Sequence, residues 1–487
     1  MNKNKYIYII SICIFFFFYY FYTHSVPLVF GNGDDWNYLS YTRSFFHIIG
    51  EHNPTKIFTE SLMSINADIA TSIIMPFTND FCQSITIINA ITLSLCITFL
   101  FLGTNIFLRR IIGLNIIPSI FLSIIFLLLH FIIFRSQESQ NDFMFYSWDL
   151  TCYYHYTIPN ILSALLVLCY LIQPPLLLIK ERKFLSFGFF MLFTLIVLVS
   201  NLYSSIIFIS YIIASLLYKS VKEYKDYYII KDIFIELMII SIWTIIHLIE
   251  MILGGRGSML LTLNENSGNS LFNRIVQSFL YLYNKLSEIN SIFLILLVIS
   301  IICIIHDLKK RKENKTIIWG VTIACFINII YLIMLSANVY PYYMLRAEVL
   351  FGPCFYIFML ISISFALLSK HKDTYNLFLP LLCFTLLFEC RTPQKTYKDT
   401  MSGYSPTYWT RMNKYIISSV QAADKARLNE VTIFVPKFKE ETNWPLPIWT
   451  GKKIARTLYK HNLIERPIII KINPDLNFNV SNLDNDN

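Results

Sequence analysis

The sequence predicts an all-α polytopic membrane domain of about eleven transmembrane helices, followed by a small C-terminal α/β domain on the non-cytoplasmic side. Three observations carry that prediction. Hydrophobic residues make up 55% of the chain and charged residues only 15%, against roughly 25% charge in a soluble domain. Mean hydropathy is +0.54, and the apolar residues gather in runs near the roughly 20 residues that a helix needs to cross hydrocarbon. Between those runs, Lys and Arg are alternately gathered and sparse.

The apolar runs fall at 7–30, 86–108, 111–134, 157–179, 184–201, 202–218, 233–253, 289–308, 316–338, 349–369 and 374–390. The first follows Lys3 and Lys5. It is too long for a signal-peptide core and lacks a small-residue cleavage site, so it reads as a retained helix. The basic clusters are Lys3 and Lys5; Arg109 and Arg110; Lys180, Arg182 and Lys183; Lys219, Lys222, Lys225 and Lys231; Lys309, Lys310, Arg311, Lys312 and Lys315; and Lys370 and Lys372. All six fall on one side of the eleven-span arrangement. Cytoplasmic loops retain positive charge, so the N-terminus is expected inside and the C-terminus outside.

This divides the chain into a multi-pass domain, 1–390, and a soluble domain, 391–487. The outer loops are 31–85, 135–156, 254–288 and 339–348, with a short turn near Asn201. Short interfacial helices are expected within 31–85, where Phe45, Phe46, Ile48 and Ile49 mix with polar neighbours. In the tail, helical spacing over Tyr408–Leu428 precedes a strand at Val431–Val435. A second helix fits Gly451–His461 and a second strand Pro467–Ile472. The Asn/Asp-rich end is expected to fray.

The net charge of +9 is dispersed in these topology signals, which argues against nucleic acid. Most cysteines lie in apolar spans, where Cys acts as a small hydrophobe. Cys82, Cys152 and Cys390 lie near the outer face, with no CxxC spacing to suggest zinc; one bridge among them stays open. No phosphate-binding loop, dinucleotide fingerprint or HExxH motif occurs in a suitable context.

The polar residues that invite a functional reading lie in the outer segments. Gly31-Asn32-Gly33-Asp34-Asp35-Trp36 places adjacent carboxylates just after a membrane helix, where acids are costly unless used or solvated. Trp36 suits an interface or a sugar-stacking surface; a solvated loop with an anchoring Trp is the plain alternative. Around Trp148, Asp149, His155 and Tyr156, aromatic rings mix with hydrogen-bonding groups, as carbohydrate recognition or an aromatic belt would require. Arg256, within Gly254-Gly255-Arg256-Gly257, and Arg346, beside Glu348, offer forks suited to phosphate. A snorkelling interface residue or an ion pair is the alternative for Arg346. Paired acids also suit Mg²⁺ or Mn²⁺, although no further ligand is identifiable.

This pattern resembles the GT-C superfamily of membrane glycosyltransferases, and most closely bacterial GtrII-like glucosyltransferase-related proteins. Asp34-Asp35-Trp36 matches the acidic-aromatic motif of the first outer loop. Tyr156-Thr157-Ile158-Pro159 matches the Tyr-x-x-Pro element, and Arg346 the late outer arginine. The turn carrying Asn201 and Ser204 departs from the pattern by lacking an acid. The resemblance implies transfer of a sugar from a polyprenyl-phosphate donor to a glycan or lipid acceptor, with inversion. It also implies a first-loop Asp (Asp35 or Asp34) as general base, and arginine contacts to the donor phosphate. The alternatives are a repeat-unit polymerase and a transporter or flippase of lipid-linked glycans. The Ile/Asn/Lys/Phe-rich, Gly-poor composition points to a bacterial cytoplasmic membrane.

Overall fold

A computed structural model describes residues 4–42, 55–135, 140–222, 229–253, 270–310, 314–371, 374–391, 396–397, 405–438 and 441–478. Phe45, Phe46, Ile48, Ile49, Arg256 and the Asn/Asp-rich end lie outside the described residues.

The first third holds α1 (Asn4–Tyr20), α2 (Gly33–Tyr38), α3 (Ile57–Ile69), α4 (Met75–Thr78), α5 (Phe81–Phe107) and α6 (Ile116–Ile132). Next come α7 (Leu150–Cys152), α8 (Ile158–Ile172), α9 (Pro175–Lys180), α10 (Phe184–Leu198), α11 (Leu202–Lys222) and α12 (Ile229–Leu253). The bundle closes with α13 (Leu271–Ser287), α14 (Ser291–Lys310), α15 (Lys315–Asn338), α16 (Phe351–His371) and α17 (Thr374–Arg391). Eight helical stretches are long and apolar enough to cross a membrane: 5–25, 81–112, 150–172, 202–220, 233–252, 291–309, 315–338 and 351–370. Three shorter apolar helices lie at 116–132, 184–198 and 376–390.

The stretch at 351–370 is the most buried, while those of α1, α12 and α14 expose most of their side chains. Tyr8, Ile12, Phe16 and Phe17 on α1 are therefore surface residues, as a helix rimmed by lipid requires. Hydrocarbon offers no hydrophobic drive between helices, so polar pairs and close packing hold them together. The Asn66 amide donates to the Tyr154 hydroxyl (2.6 Å), which donates to Asn89. The Asn105 amide likewise donates to Ser119 (3.1 Å).

Two departures from expectation have local causes. The segment expected as a loop through residue 156 is helical from Leu150, and its helix ends at Ile172 rather than 179. Pro159 has no N–H for the His155 carbonyl four residues back. The helix passes that point through a π turn, Tyr153–Thr157, and the Asn201 amide donates to the freed carbonyl (2.6 Å). Pro174 then stops it. The second departure is α13, a helix within the expected loop 254–288. Its pattern suits the edge of a membrane rather than its middle.

The C-terminal residues form α18 (Pro406–Lys425), β3 (Glu430–Pro436), α19 (Thr450–Lys460) and β4 (Ile469–Asp475). β3 and β4 pair in parallel, from Glu430 opposite Ile469 to Pro436 opposite Asp475. Ile433, Val435, Ile470 and Ile472 face inward, onto Trp409, Met412, Ile416 and Val420 at helical spacing on α18. Two shorter strands, β1 (Gln140–Asn141) and β2 (Thr396–Tyr397), pair in parallel. Among the described residues no disulfide joins the cysteines, Cys82, Cys152 and Cys390 included.

Candidate functional site

The site is assembled where the chain after α1, the start of α7 and the turn before α16 meet. Asn32 caps α2, its side-chain oxygen accepting from the Asp35 N–H (2.8 Å). Asn is favoured at this position because it satisfies a donor the helix leaves open. The acidic motif is thus the first turn of a helix, where carboxylates are stabilised by the dipole, rather than an extended loop. Successive helical residues diverge by about 100°, and so Asp34 and Asp35 face different surroundings.

Asp35 points inward and is fully buried. Its carboxylate accepts from the Gly31 N–H (2.9 Å), the Thr151 N–H (2.7 Å) and the Thr151 hydroxyl (2.7 Å). Asp34 points outward, its side chain 43% exposed, with Lys453 Nζ of α19 at 3.7 Å. Trp36, expected at a stacking surface, is fully buried. Two positions beyond Asp34, the helical turn swings it into the core, edge-on to Phe30 (4.9 Å).

Asp149 caps the next helix, accepting from the Cys152 N–H (2.6 Å), and remains partly exposed. Trp148 beside it is 49% exposed. A 3-10 turn, Pro341–Leu345, delivers Arg346 to the same place. Its guanidinium is ion-paired with Glu348, with Nε donating at 2.6 Å and Nη2 reaching Cys152 Sγ at 3.5 Å. It lies over the rings of Tyr156 (4.8 Å), Tyr343 (5.3 Å) and Trp148 (5.7 Å). Three aromatic faces and one carboxylate therefore hold the cation with little entropy left to lose.

Asp149 links the two halves electrostatically. Burial first, and the Asp149 charge second, push Asp35 up to about 8, against the pull of its bonds from Thr151 and Gly31. Burial also raises Asp149, with Asp34 adding and the Cys152 bonds and Arg346 opposing. Through Asp149, the charges of Asp34, Asp35 and Arg346 thus act on one another, and Arg346 lies against the rings of Trp148 and Tyr156. His155 belongs to a different layer. Its Nε2 lies 3.2 Å from Glu60 Oε1 and its ring meets Tyr38 edge-on (5.4 Å).

The C-terminal domain closes one side. The Gly33 N–H donates to the Pro445 carbonyl (3.0 Å), and Thr457 donates to the Trp36 carbonyl (2.6 Å). A Cβ on Gly33 would stand 2.6 Å from the Trp449 ring, and one on Gly31 would stand 2.6 Å from Trp409. Both glycines are there for closeness of approach. Lys453 in turn sits 3.9 Å above the Trp449 ring.

The two first-loop acids do not fit a shared divalent ion. Both Asp35 oxygens are taken by N–H and O–H donors, and Asp34 turns toward a lysine. Among the described residues no group of three or more His, Cys, Asp or Glu is placed to hold a metal.

Sequence reasoning missed Thr151, Glu60, Lys453 and Trp449, and saw in Cys152 a candidate for a bridge rather than a contact of Arg346. Each meets its partner across a long stretch of chain, and none carries a local motif. Comparison with protein-family models, with curated proteins and with solved structures finds no match.

Proposed function

We propose that this chain is an integral membrane glycosyltransferase of the GT-C type. It moves a sugar from a polyprenyl-phosphate donor to a glycan or lipid acceptor at the outer face of a bacterial cytoplasmic membrane. All eleven apolar helices cross, the N-terminus lies inside, and the C-terminal domain lies outside with the site. The observation that carries this reading is the placing of Arg346 over the rings of Trp148, Tyr156 and Tyr343, with Asp149 feeling the charges of both Arg346 and Asp34.

The roles follow from exposure. Asp34 is the first-loop carboxylate still open to an incoming hydroxyl, so it is the general base, and Asp35 is the buried anchor that holds α2 against Thr151. The acceptor hydroxyl gives its proton to Asp34 as its oxygen bonds to the anomeric carbon. The bond from that carbon to the phosphate oxygen breaks on the opposite face, inverting the centre. The bonding pair leaves with the polyprenyl phosphate, whose growing charge Arg346 stabilises. Trp148 offers its exposed ring to the sugar, and Asp149 lies between base and cation to hold a sugar hydroxyl. Concentration of polar groups at one end favours transfer over an alternating-access path, which needs charge at mid-membrane depth.

The test is sugar transfer in membranes with a radiolabelled polyprenyl-phosphate sugar. Asp34→Asn is expected to lower the rate by about 100-fold or more, and Arg346→Ala by a similar factor. Wild-type rates in Asp34→Asn, Asp149→Asn and Arg346→Ala together would remove these three residues from the chemistry and sink the proposal.

A further inference from the structure

α19 carries four cations in its 11 residues, Lys452, Lys453, Arg456 and Lys460, and no acid. Lys453, Arg456 and Lys460 recur at intervals of three and four, so they share one face, and α19 lies against α2. Each meets a different surface. Lys460 reaches Ser64 (2.8 Å) and Asp68 (3.0 Å) on α3, an ion pair that fastens the C-terminal domain to the bundle. Arg456 donates to the Asn37 carbonyl (3.0 Å), the Asn37 side chain (2.7 Å) and Ser40 (3.0 Å), and lies over the Tyr41 ring (5.3 Å). These partners are neutral. Lys453 lies over the Trp449 ring (3.9 Å), and Asp34 Oδ1 stands at 3.7 Å, beyond hydrogen-bond reach.

Among the described residues, Lys453 and Arg456 together face one acid, Asp34. Burial pulls both cations below their ordinary range. Asp34 restores Lys453 only in part, and the Arg456 charge lowers it further. The positive charge here is unbalanced, and it becomes more so when Asp34 takes up a proton as a base. An anion brought beside α19 would relieve it.

Trp449 makes this more than basic surface. A Cβ at Gly33 would stand 2.6 Å from its ring, yet Trp449 stays 46% exposed. Because Gly33 adjoins Asp34, the indole, the ammonium and the proposed base stand side by side. An exposed aromatic surface flanked by cations suits a saccharide, with the apolar face of a sugar ring against the indole and an acidic substituent toward Lys453 and Arg456. The donor's phosphate and sugar are assigned to Arg346 and Trp148, which α19 does not carry. What α19 brings to Asp34 is therefore left for the acceptor, whose hydroxyl must reach that carboxylate.

We propose that Trp449, Lys453 and Arg456 form the acceptor subsite, and that the acceptor is an acidic glycan whose sugar carries a carboxylate or a phosphate. This rests on the transferase reading and deepens it, choosing a glycan over a lipid and an acidic glycan over a neutral one.

The experiment uses the full chain in nanodiscs and three tetrasaccharide probes of one backbone: a neutral one, one ending in a hexuronic acid and one ending in a sugar phosphate. Binding is measured by titration, and acceptor and donor KM by transfer from a radiolabelled polyprenyl-phosphate sugar. The acidic probes are expected to bind about fivefold or more tighter than the neutral one. That margin should shrink as ionic strength rises from about 0.05 to about 0.5 M. Lys453→Gln and Arg456→Gln should each remove most of it and leave neutral binding near wild type. Trp449→Ala should weaken all three probes about fivefold, raising the acceptor KM and sparing both the donor KM and the rate at saturating acceptor. If Trp449→Ala unseats the domain, the two Gln variants, which leave the indole against Gly33, carry the comparison. A margin for the uronate alone or the phosphate alone supports the subsite and names its acid. Equal binding of neutral and acidic probes overturns the acidic assignment. A margin kept in both Gln variants, or a donor KM raised in place of the acceptor KM, overturns the subsite. Transfer onto a lipid with no binding of any probe also overturns it and leaves the transferase reading standing. Acidic-glycan binding that falls in Lys453→Gln, in a chain that transfers no sugar, supports the glycan site and ends the transferase reading.

Discussion

Neighbours in sequence, Asp34 and Asp35 separate completely in physical role, and substitution should expose the difference. Asp35→Ala strips the acceptor from three buried donors, at about 1–3 kcal/mol for each donor left unmatched. A stability loss of about 3 kcal/mol or more is expected, read as a lower thermal unfolding temperature in detergent. Asp34→Ala removes only a part-exposed contact with Lys453, worth about 0–1 kcal/mol, so stability should hold while transfer is lost. Equal thermal stability of the two variants would contradict this division. A second expectation follows from titration. The folded chain holds the Asp35 proton up to about 8, against an ordinary 3.8, and so binds more protons than the unfolded chain across that window. Stability contributed by this group is therefore full at the acid end and falls as pH rises through it. Asp149→Asn keeps a capping oxygen but deletes the neighbouring charge, and thermal unfolding followed across the window should show a shallower slope. A slope identical to wild type would show that the two carboxyls are not coupled.

At the scale of elements, α2 is the piece on which the site turns, because it carries both acids and lies against α19. Gly33→Ala drives a methyl into the Trp449 ring and close to the Thr450 hydroxyl, so α2 should shift and Asp34 with it. The expected result is reduced transfer and faster proteolysis of the C-terminal domain. Trp449→Ala in the same chain opens the space, and the double variant should recover part of the loss. Strict additivity of the two changes would show that the contact does not couple them. The elements themselves were largely legible in the sequence. Lipid demands long apolar helices, and eight of the eleven apolar runs hold one long enough to cross, while the other three hold shorter apolar helices. The tail followed from ordinary alternation, down to the strand at Val431–Val435. What was illegible depends on distant partners. Thr151 meets Asp35 across 116 residues, and Thr457 meets Trp36 across 421. Burial of Trp36 followed only once Asn32 was seen to start a helix. α13 read as a loop because its apolar stripe is interrupted by polar residues and is too short for a span. Yet Asp34, Trp148, Asp149, Tyr156 and Arg346 stood out beforehand, since polar groups amid apolar sequence have few neutral explanations.

At the scale of the whole molecule, the seating of the C-terminal domain constrains the path through the membrane. The helix at 5–25 is about 30 Å long, and the chain beyond its far end meets Trp409, Pro445 and Trp449. If that first helix crosses, the N-terminus and the C-terminal domain stand on opposite sides, which requires an odd number of crossings. Eight long helices alone make an even number, so the shorter helices at 116–132, 184–198 and 376–390 must supply the difference. Their lengths fall near the lower limit of about 17 residues, which a bilayer accommodates by local thinning. The basic clusters, from Lys5 and Arg109 to Lys370, share a side only if the helices at 116–132 and 184–198 both cross, and the C-terminal domain then lies opposite them only if 376–390 crosses as well. The proposed orientation therefore makes a site-by-site prediction for a variant lacking the ten native cysteines and probed with a membrane-impermeant maleimide on intact cells. Leu428→Cys, in the C-terminal domain, and Ser270→Cys, before α13, should label at once. Lys5→Cys and Arg182→Cys should label only after permeabilisation. Arg182 is the most informative of the four, because it follows the helices at 5–25, 81–112, 116–132 and 150–172 and so reports whether the short helix at 116–132 crosses. Labelling of Arg182→Cys or Lys5→Cys from outside would place a basic cluster on the same face as Asp34 and Arg346, and the site could not then be confined to the outer side.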